Sequence, residues 1–161
     1  MRNAEIDRPV RFSVLDRLLD NGEQAGAAGF SDEVVLFREY VRRDLEWLLN
    51  TRRTFLTASD DYPELQRSLY HYGFPDVTSL GRDSPDTRAR LVTRLEETIA
   101  TFEPRLTNVR VLLQENAPNA RRELRFVVHG MLQVDPVPLR VSFDTVLDRS
   151  SGDVAVRDGD G

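Results

Sequence analysis

The sequence predicts an α+β domain in which N-terminal helices pack on a three- to four-stranded antiparallel sheet. Three observations carry this. Two apolar stripes at spacings of three and four fill the N-terminal two thirds of the chain, one from Val34 and one from Ala89. At Phe102-Glu103-Pro104-Arg105-Leu106 the hydrophobic period changes from about 3.6 to about 2 residues. Beyond that corner, alternating runs follow one another with short connections, as in an antiparallel meander.

Taken in order, Ser13-Val14-Leu15-Asp16-Arg17-Leu18-Leu19-Asp20 predicts a short helix ended by Asn21-Gly22. Residues 21–30 hold three glycines and three alanines without periodicity and predict a flexible linker. Ser31 is placed to cap the next helix, with Asp32 and Glu33 in its first turn, where the helix dipole favours negative charge. Val34, Phe37, Val41, Leu45 and Leu48 form its buried stripe, widened by Trp47 and Leu49, so the helix runs from Ser31 to Asn50.

Residues 54–62 read as a loop. Tyr62-Pro63-Glu64 then opens a short helix closed by Gly73, and Phe74-Pro75-Asp76-Val77 makes a turn. Tyr62, Tyr70, His71, Tyr72 and Phe74 are expected to pack as an aromatic corner of the core. Ser84-Pro85-Asp86 is a strong helix start, because a proline at the first helical position has no N–H to leave unsatisfied. Ala89, Val92, Leu95, Ile99 and Phe102 give its buried stripe.

The first strand alternates Val109, Val111 and Leu113 with Asn108, Arg110 and Leu112. The second places Leu124, Phe126, Val128, Leu132 and Val134 on one face, and the third buries Leu139, Val141, Phe143, Thr145 and Leu147. Val154-Ala155-Val156 is a short candidate for a fourth, and Arg157 to Gly161 is expected to fray. The organisation that results is a short helix and linker over 1–30, an α+β domain over 31–148 and a C-terminal tail over 149–161. A sheet of this kind has an open edge, which Arg110, Arg122, Arg125 and Arg140 are placed to block.

With 161 residues, 40% hydrophobic and 30% charged, the composition suits one globular domain. No apolar run approaches the roughly 20 residues that cross a bilayer, and no apolar segment follows Met1, so neither membrane insertion nor an export signal is expected. A cytosolic address follows as the expectation. Cysteine is absent, which excludes disulfides and thiolate metal sites. All 22 basic residues are arginine, against a net charge of −5 that argues against nucleic acid as the main partner.

His71 and His129 lie in different elements without ligand spacing, and no phosphate loop or nucleophile elbow occurs, so no metal or cofactor is expected. Pro104 holds Glu103 and Arg105 at a sharp corner. Glycoside hydrolysis would need a second carboxyl group beside Glu103, for which Asp83, Asp86 and Glu115 are candidates. Against that use, an adjacent Arg105 keeps Glu103 ionised and makes it a poor general acid. A structural clasp and an outward-facing binding pair both remain open.

Four blocks resemble one family in order along the chain. They are Ser13-Val14-Leu15-Asp16-Arg17-Leu18, then Val41-Arg42-Arg43-Asp44-Leu45-Glu46-Trp47-Leu48-Leu49-Asn50-Thr51-Arg52-Arg53, then Tyr62-Pro63-Glu64-Leu65 with Ser68-Leu69-Tyr70-His71-Tyr72-Gly73, and finally Glu103-Pro104-Arg105. Together they resemble the TssE family, the baseplate wedge subunits of type VI secretion systems, related to a "lysozyme-like" wedge protein of contractile-tail phages. The resemblance implies a non-catalytic assembly role. Its expected partners are TssF and TssG in the wedge, the TssK-containing baseplate and the TssB–TssC sheath, whose polymerisation it helps start by strand addition. The expected location is the cytosolic side of the inner membrane once assembled. Glu103 and Arg105 are the implied partner-binding residues, followed by Arg42, Arg43, Asp44, Asn50 and Arg52. A muramidase using Glu103 is the alternative.

Overall fold

The computed structural model describes residue 18 and residues 30–54, 61–74, 84–114, 123–135 and 137–159. Apart from Leu18, the helix expected over 13–20 lies outside the described residues, as do the loop at 55–60, the turn after Phe74, and Arg122. The first described helix, α1 (Phe30–Asn50), begins one residue before the expected cap. Phe37, Val41, Leu45, Leu48 and Leu49 face inward as expected. Trp47 does not: it is 48% exposed.

A single turn, α2 (Pro63–Gln66), and a 3₁₀ turn (Leu69–His71) precede Gly73. The aromatic corner divides. His71 and Phe74 are buried and Tyr72 is half-buried, whereas Tyr62 and Tyr70 are exposed. Helix α3 (Pro85–Phe102) starts as its sequence dictates, with the Ser84 hydroxyl accepting from the Thr87 amide at 3.2 Å. Its buried face is Leu91, Leu95, Thr98 and Ile99, with Val92 and Phe102 at the margin. The expected stripe was therefore rotated, and Ala89 is exposed.

The sheet has the order β1 (Leu106–Leu113), β2 (Glu123–Leu132), β3 (Leu139–Asp148), β4 (Val154–Asp158), antiparallel throughout. Val109, Val111, Phe126, Val128, Leu132, Val141, Phe143, Thr145, Leu147, Val154 and Val156 supply its buried face, and the helices cover that face. Leu139 is the exception, 41% exposed at the start of β3. In β1 the register slips by one residue between Thr107 and Arg110, with Asn108 at φ 52°. This β-bulge uses a residue type that tolerates left-handed geometry, and it returns Val109 to the core after two exposed positions.

The candidate strand at 154–156 is present and continues as β4 to Asp158, into the segment expected to fray, whose last two residues lie outside the described residues. The Gly159 amide donates to the Ser142 carbonyl at 3.0 Å. A Cβ at Gly159 would lie 2.7 Å from Ser142 Oγ.

Candidate functional site

Pro104 turns the chain out of α3, and Glu103 closes the helix by donating its amide to the Ile99 carbonyl at 2.8 Å. The Glu103 residue is 3% exposed. Its Oε1 accepts from Arg105 Nε at 2.6 Å and from the Arg105 amide at 3.3 Å, while Oε2 accepts from Arg105 Nη2. The same Nη2 donates to Asp44 Oδ2 of α1 at 2.6 Å, and the guanidinium lies 5.8 Å from the Phe37 ring centroid. Burial works against the Arg105 charge, but the bonds and charges of Glu103 and Asp44 outweigh it and hold the guanidinium above its ordinary range. Two carboxylates from different elements thus share one guanidinium, which ties the corner to α1. Of the arrangements the sequence leaves open, this is the clasp; Glu103 does not point outward.

The clasp reaches the surface through Asp44. Its Oδ1 accepts from Arg43 Nε and Nη2 at 3.1 and 2.9 Å. The Arg43 guanidinium lies over Trp47 at 4.7 Å and over Tyr40 at 5.0 Å. A cation held between two rings is itself an ordering interaction, contributing about 0.5–1 kcal/mol at exposed sites. Beside the clasp, burial raises the Tyr72 phenol pKa, and the Asp44 and Glu103 charges add to that.

A second arrangement lies along β4. Positions 38, 42, 46 and 50 recur every fourth residue of α1 and so fall on one face. Asn50 Nδ2 donates to the Val154 carbonyl and Asn50 Oδ1 accepts from the Val154 amide, both at 2.8 Å. Arg42 Nη1 donates to the Val156 carbonyl at 2.8 Å, and Glu46 Oε1 accepts from the Val156 amide at 3.4 Å. Arg38 Nη2 donates to the Gly159 carbonyl at 2.9 Å and its side chain pairs with Asp158. Hydrogen bonding to Glu39 raises the Arg42 pKa, an effect that burial opposes and Glu46 reinforces. The outer backbone groups of Val154 and Val156 are therefore all satisfied by side chains of a helix.

The edge of β1 is treated differently. Gln114 donates to the Arg125 carbonyl, so by antiparallel alternation the groups of Val111 and Leu113 point away from β2. Among the described residues, the Val111 amide finds Glu96 Oε1 at 2.9 Å. Among the described residues, no corresponding side-chain bond closes Leu113. Of the arginines expected to block an edge, Arg110 stands exposed on the edge strand β1, Arg125 and Arg140 lie on the inner strands β2 and β3, and Arg122 lies outside the described residues.

His71 is 1% exposed and its Nδ1 contacts Arg53 Nη2. Burial, and then the Arg53 charge, lower its pKa below the ordinary value of about 6.5. The unfolded chain therefore binds a proton that the native chain refuses. The stability this group contributes is present above about pH 6.5 and is lost as pH falls below it. Thermal melts between about pH 7.5 and 5.5 are expected to show stability falling with acidification, and a shallower fall in His71→Gln.

Of the residues singled out in the sequence, Glu103, Arg105, Asp44 and Arg43 come together, and Arg42 and Asn50 meet on β4 instead. Arg52 is exposed and stands apart, its backbone bridged to Phe74. Sequence reasoning missed Arg38 and Glu46, which the four-residue spacing could have disclosed, and the outward pairing of Tyr40 and Trp47 with Arg43. Asp86 lies at the opposite end of α3 from Glu103, about 25 Å away at the helical rise, too far to form a catalytic carboxylate pair. Among the described residues, no three histidines or carboxylates cluster as a metal site, and no helix is long and apolar enough to cross a membrane.

Comparison with known proteins gives a family match. A family model described as baseplate wedge protein gp25 matches residues 36–137, well over half the chain and inclusive of the clasp. A chain from a solved structure, the baseplate complex from the type VI secretion system, is similar at 21% identity. The likeness covers 74% of this chain and 98% of that one, with a TM-score of 0.49. No curated protein matches the chain.

Proposed function

The chain belongs to the baseplate wedge protein gp25 family, and from that premise we propose that it is the TssE-type wedge subunit of a type VI secretion baseplate. In this reading it joins TssF and TssG, connects to the TssK-containing baseplate, and helps initiate the TssB–TssC sheath at the cytosolic side of the inner membrane. It is a non-catalytic role. The observation that carries it is the chain of contacts Glu103–Arg105–Asp44–Arg43, which ends at the surface on Tyr40 and Trp47. Trp, Tyr and Arg are the residue types that dominate interface energetics, and Arg43 arrives already ordered, which lowers the entropic cost of docking.

The candidate contact residues then sort by depth. Arg43 meets the partner, Arg52 adds a separate exposed contact at the exit of the helix, and Arg42 braces β4, whereas Glu103, Arg105 and Asp44 position Arg43 from within. Asn50 acts on β4. Strand addition by sheath subunits takes place at the β1 edge, because the β4 edge is already occupied by α1. The muramidase alternative needs Glu103 to reach a glycosidic oxygen, and its carboxylate is instead buried with both oxygens on Arg105.

Co-purification with TssF and TssG, followed by sheath assembly with TssB and TssC, tests this reading with two variants. Trp47→Ala is expected to weaken wedge capture by roughly 10- to 30-fold, as for a hot-spot residue, with a melt within a few degrees of wild type. Leu113→Pro removes an outward amide and no ladder bond; it is expected to retain the wedge and lose sheath initiation. Wild-type behaviour of Trp47→Ala would remove the stack from the interface. Release of sugar from purified cell wall, abolished in Glu103→Gln, would establish the muramidase.

A further inference from the structure

A cavity of about 310 Å³ opens between the second half of α3 and the 3₁₀ turn, beside the His71–Arg53 pair. Arg53, Arg67 and Arg94 line it together with His71, Glu97 and Phe102. Arg53 is oriented by His71. Arg67 and Arg94 have no ion-pair partner among the described residues. Among the described residues, three arginines thus line the cavity against one carboxylate, on a chain whose net charge is −5. Such a concentration of positive charge on an acidic protein attracts an occupant of opposite sign.

We propose that this pocket receives an aspartate or glutamate side chain from an acidic segment of a partner protein. The volume is in the range of ligand pockets and far exceeds the space one tetrahedral oxyanion fills. The lining is mixed in a way that suits a carboxylate carried on a peptide. The guanidinium groups can engage the carboxylate bidentately, Phe102 offers an apolar wall to its methylene stem, and Glu97 can accept from a backbone amide. Phe102 also meets Tyr72 edge to face at 5.4 Å, which joins the pocket to the surroundings of the clasp. The choice of a protein ligand rests on the assembly reading above; the pocket itself does not.

A hexaglutamate peptide, titrated calorimetrically into the full chain at low salt, provides the probe. Saturable binding is expected, weakened at least tenfold in Arg94→Glu and in Arg67→Glu with unchanged melts, and partly retained in Arg94→Lys. Arg157→Glu, on exposed β4, is expected to leave it unaltered. Absence of binding overturns the proposal. So does equal weakening by Arg157→Glu, which would mark general electrostatic attraction. Inorganic phosphate competing as well as the peptide at matched ionic strength would make this a free-oxyanion site and overturn the peptide assignment. Peptide binding alongside failure to capture TssF and TssG would retain the pocket and reject the wedge reading; the reverse result would reject the pocket alone.

Discussion

Arg105→Ala is expected to lower stability by about 3–5 kcal/mol, the range for removing one partner of a buried charge network. The substitution leaves Glu103 and Asp44 facing each other without the cation that neutralises both. It also strips the contact with Phe37. For a chain of this size the melting temperature should fall by roughly 10 °C, at about 2–4 °C per kcal/mol. Chemical denaturation measures the loss directly. A change below about 1 kcal/mol would mean that the guanidinium is effectively solvated and that the corner holds without it. The clasp also alters what a loss of assembly in Glu103→Ala can be taken to mean. Such a loss identifies a positioning effect if it occurs at temperatures where the variant is fully folded and Trp47→Ala reproduces it.

Gly73→Ala is expected to cost at least about 3 kcal/mol, because two penalties coincide. Gly73 has φ +107°, a region that side-chain-bearing residues rarely adopt, and a Cβ there would sit 2.4 Å from the Thr51 carbonyl oxygen. Relief by a rotamer change is unavailable, since the obstacle is backbone. The strand-like bridge it protects joins the exit of α1 to Phe74 through Phe74 N to Thr51 O at 2.8 Å and Arg53 N to Phe74 O at 3.0 Å. Hydrogen exchange at the Arg53 and Phe74 amides should therefore accelerate along with the drop in melting temperature. Tolerance of alanine within about 1 kcal/mol would show that the junction shifts freely.

The parts of this molecule legible in its sequence are those set by local rules. Ser84-Pro85 marks a helix start because capping and the missing proline N–H act within one turn. The corner at Pro104 and the change of period are equally local. Trp47 was misread because hydrophobicity alone assigns it to the core, whereas its indole ring is used to hold a cation. Ala89 was misplaced because a small residue at the end of a stripe carries little weight against Leu91. Asp44 was noticed within its block, but its bond to Arg105 spans 61 positions and no pattern along the chain reveals it. The strand β4 was legible only as the short run Val154-Ala155-Val156, and its continuation through Arg157 and Asp158 was not, because its support comes from α1, more than a hundred residues earlier.

That support has a consequence for growth. By matching the donors and acceptors of Val154 and Val156 one for one, α1 does for β4 what a neighbouring strand would do. One flank of the sheet is in effect already terminated, and only the other is left as a template. A polymer that lengthens by adding strands to this subunit would therefore have a single growing end, fixed by three side chains on one face of a helix before any second subunit arrives.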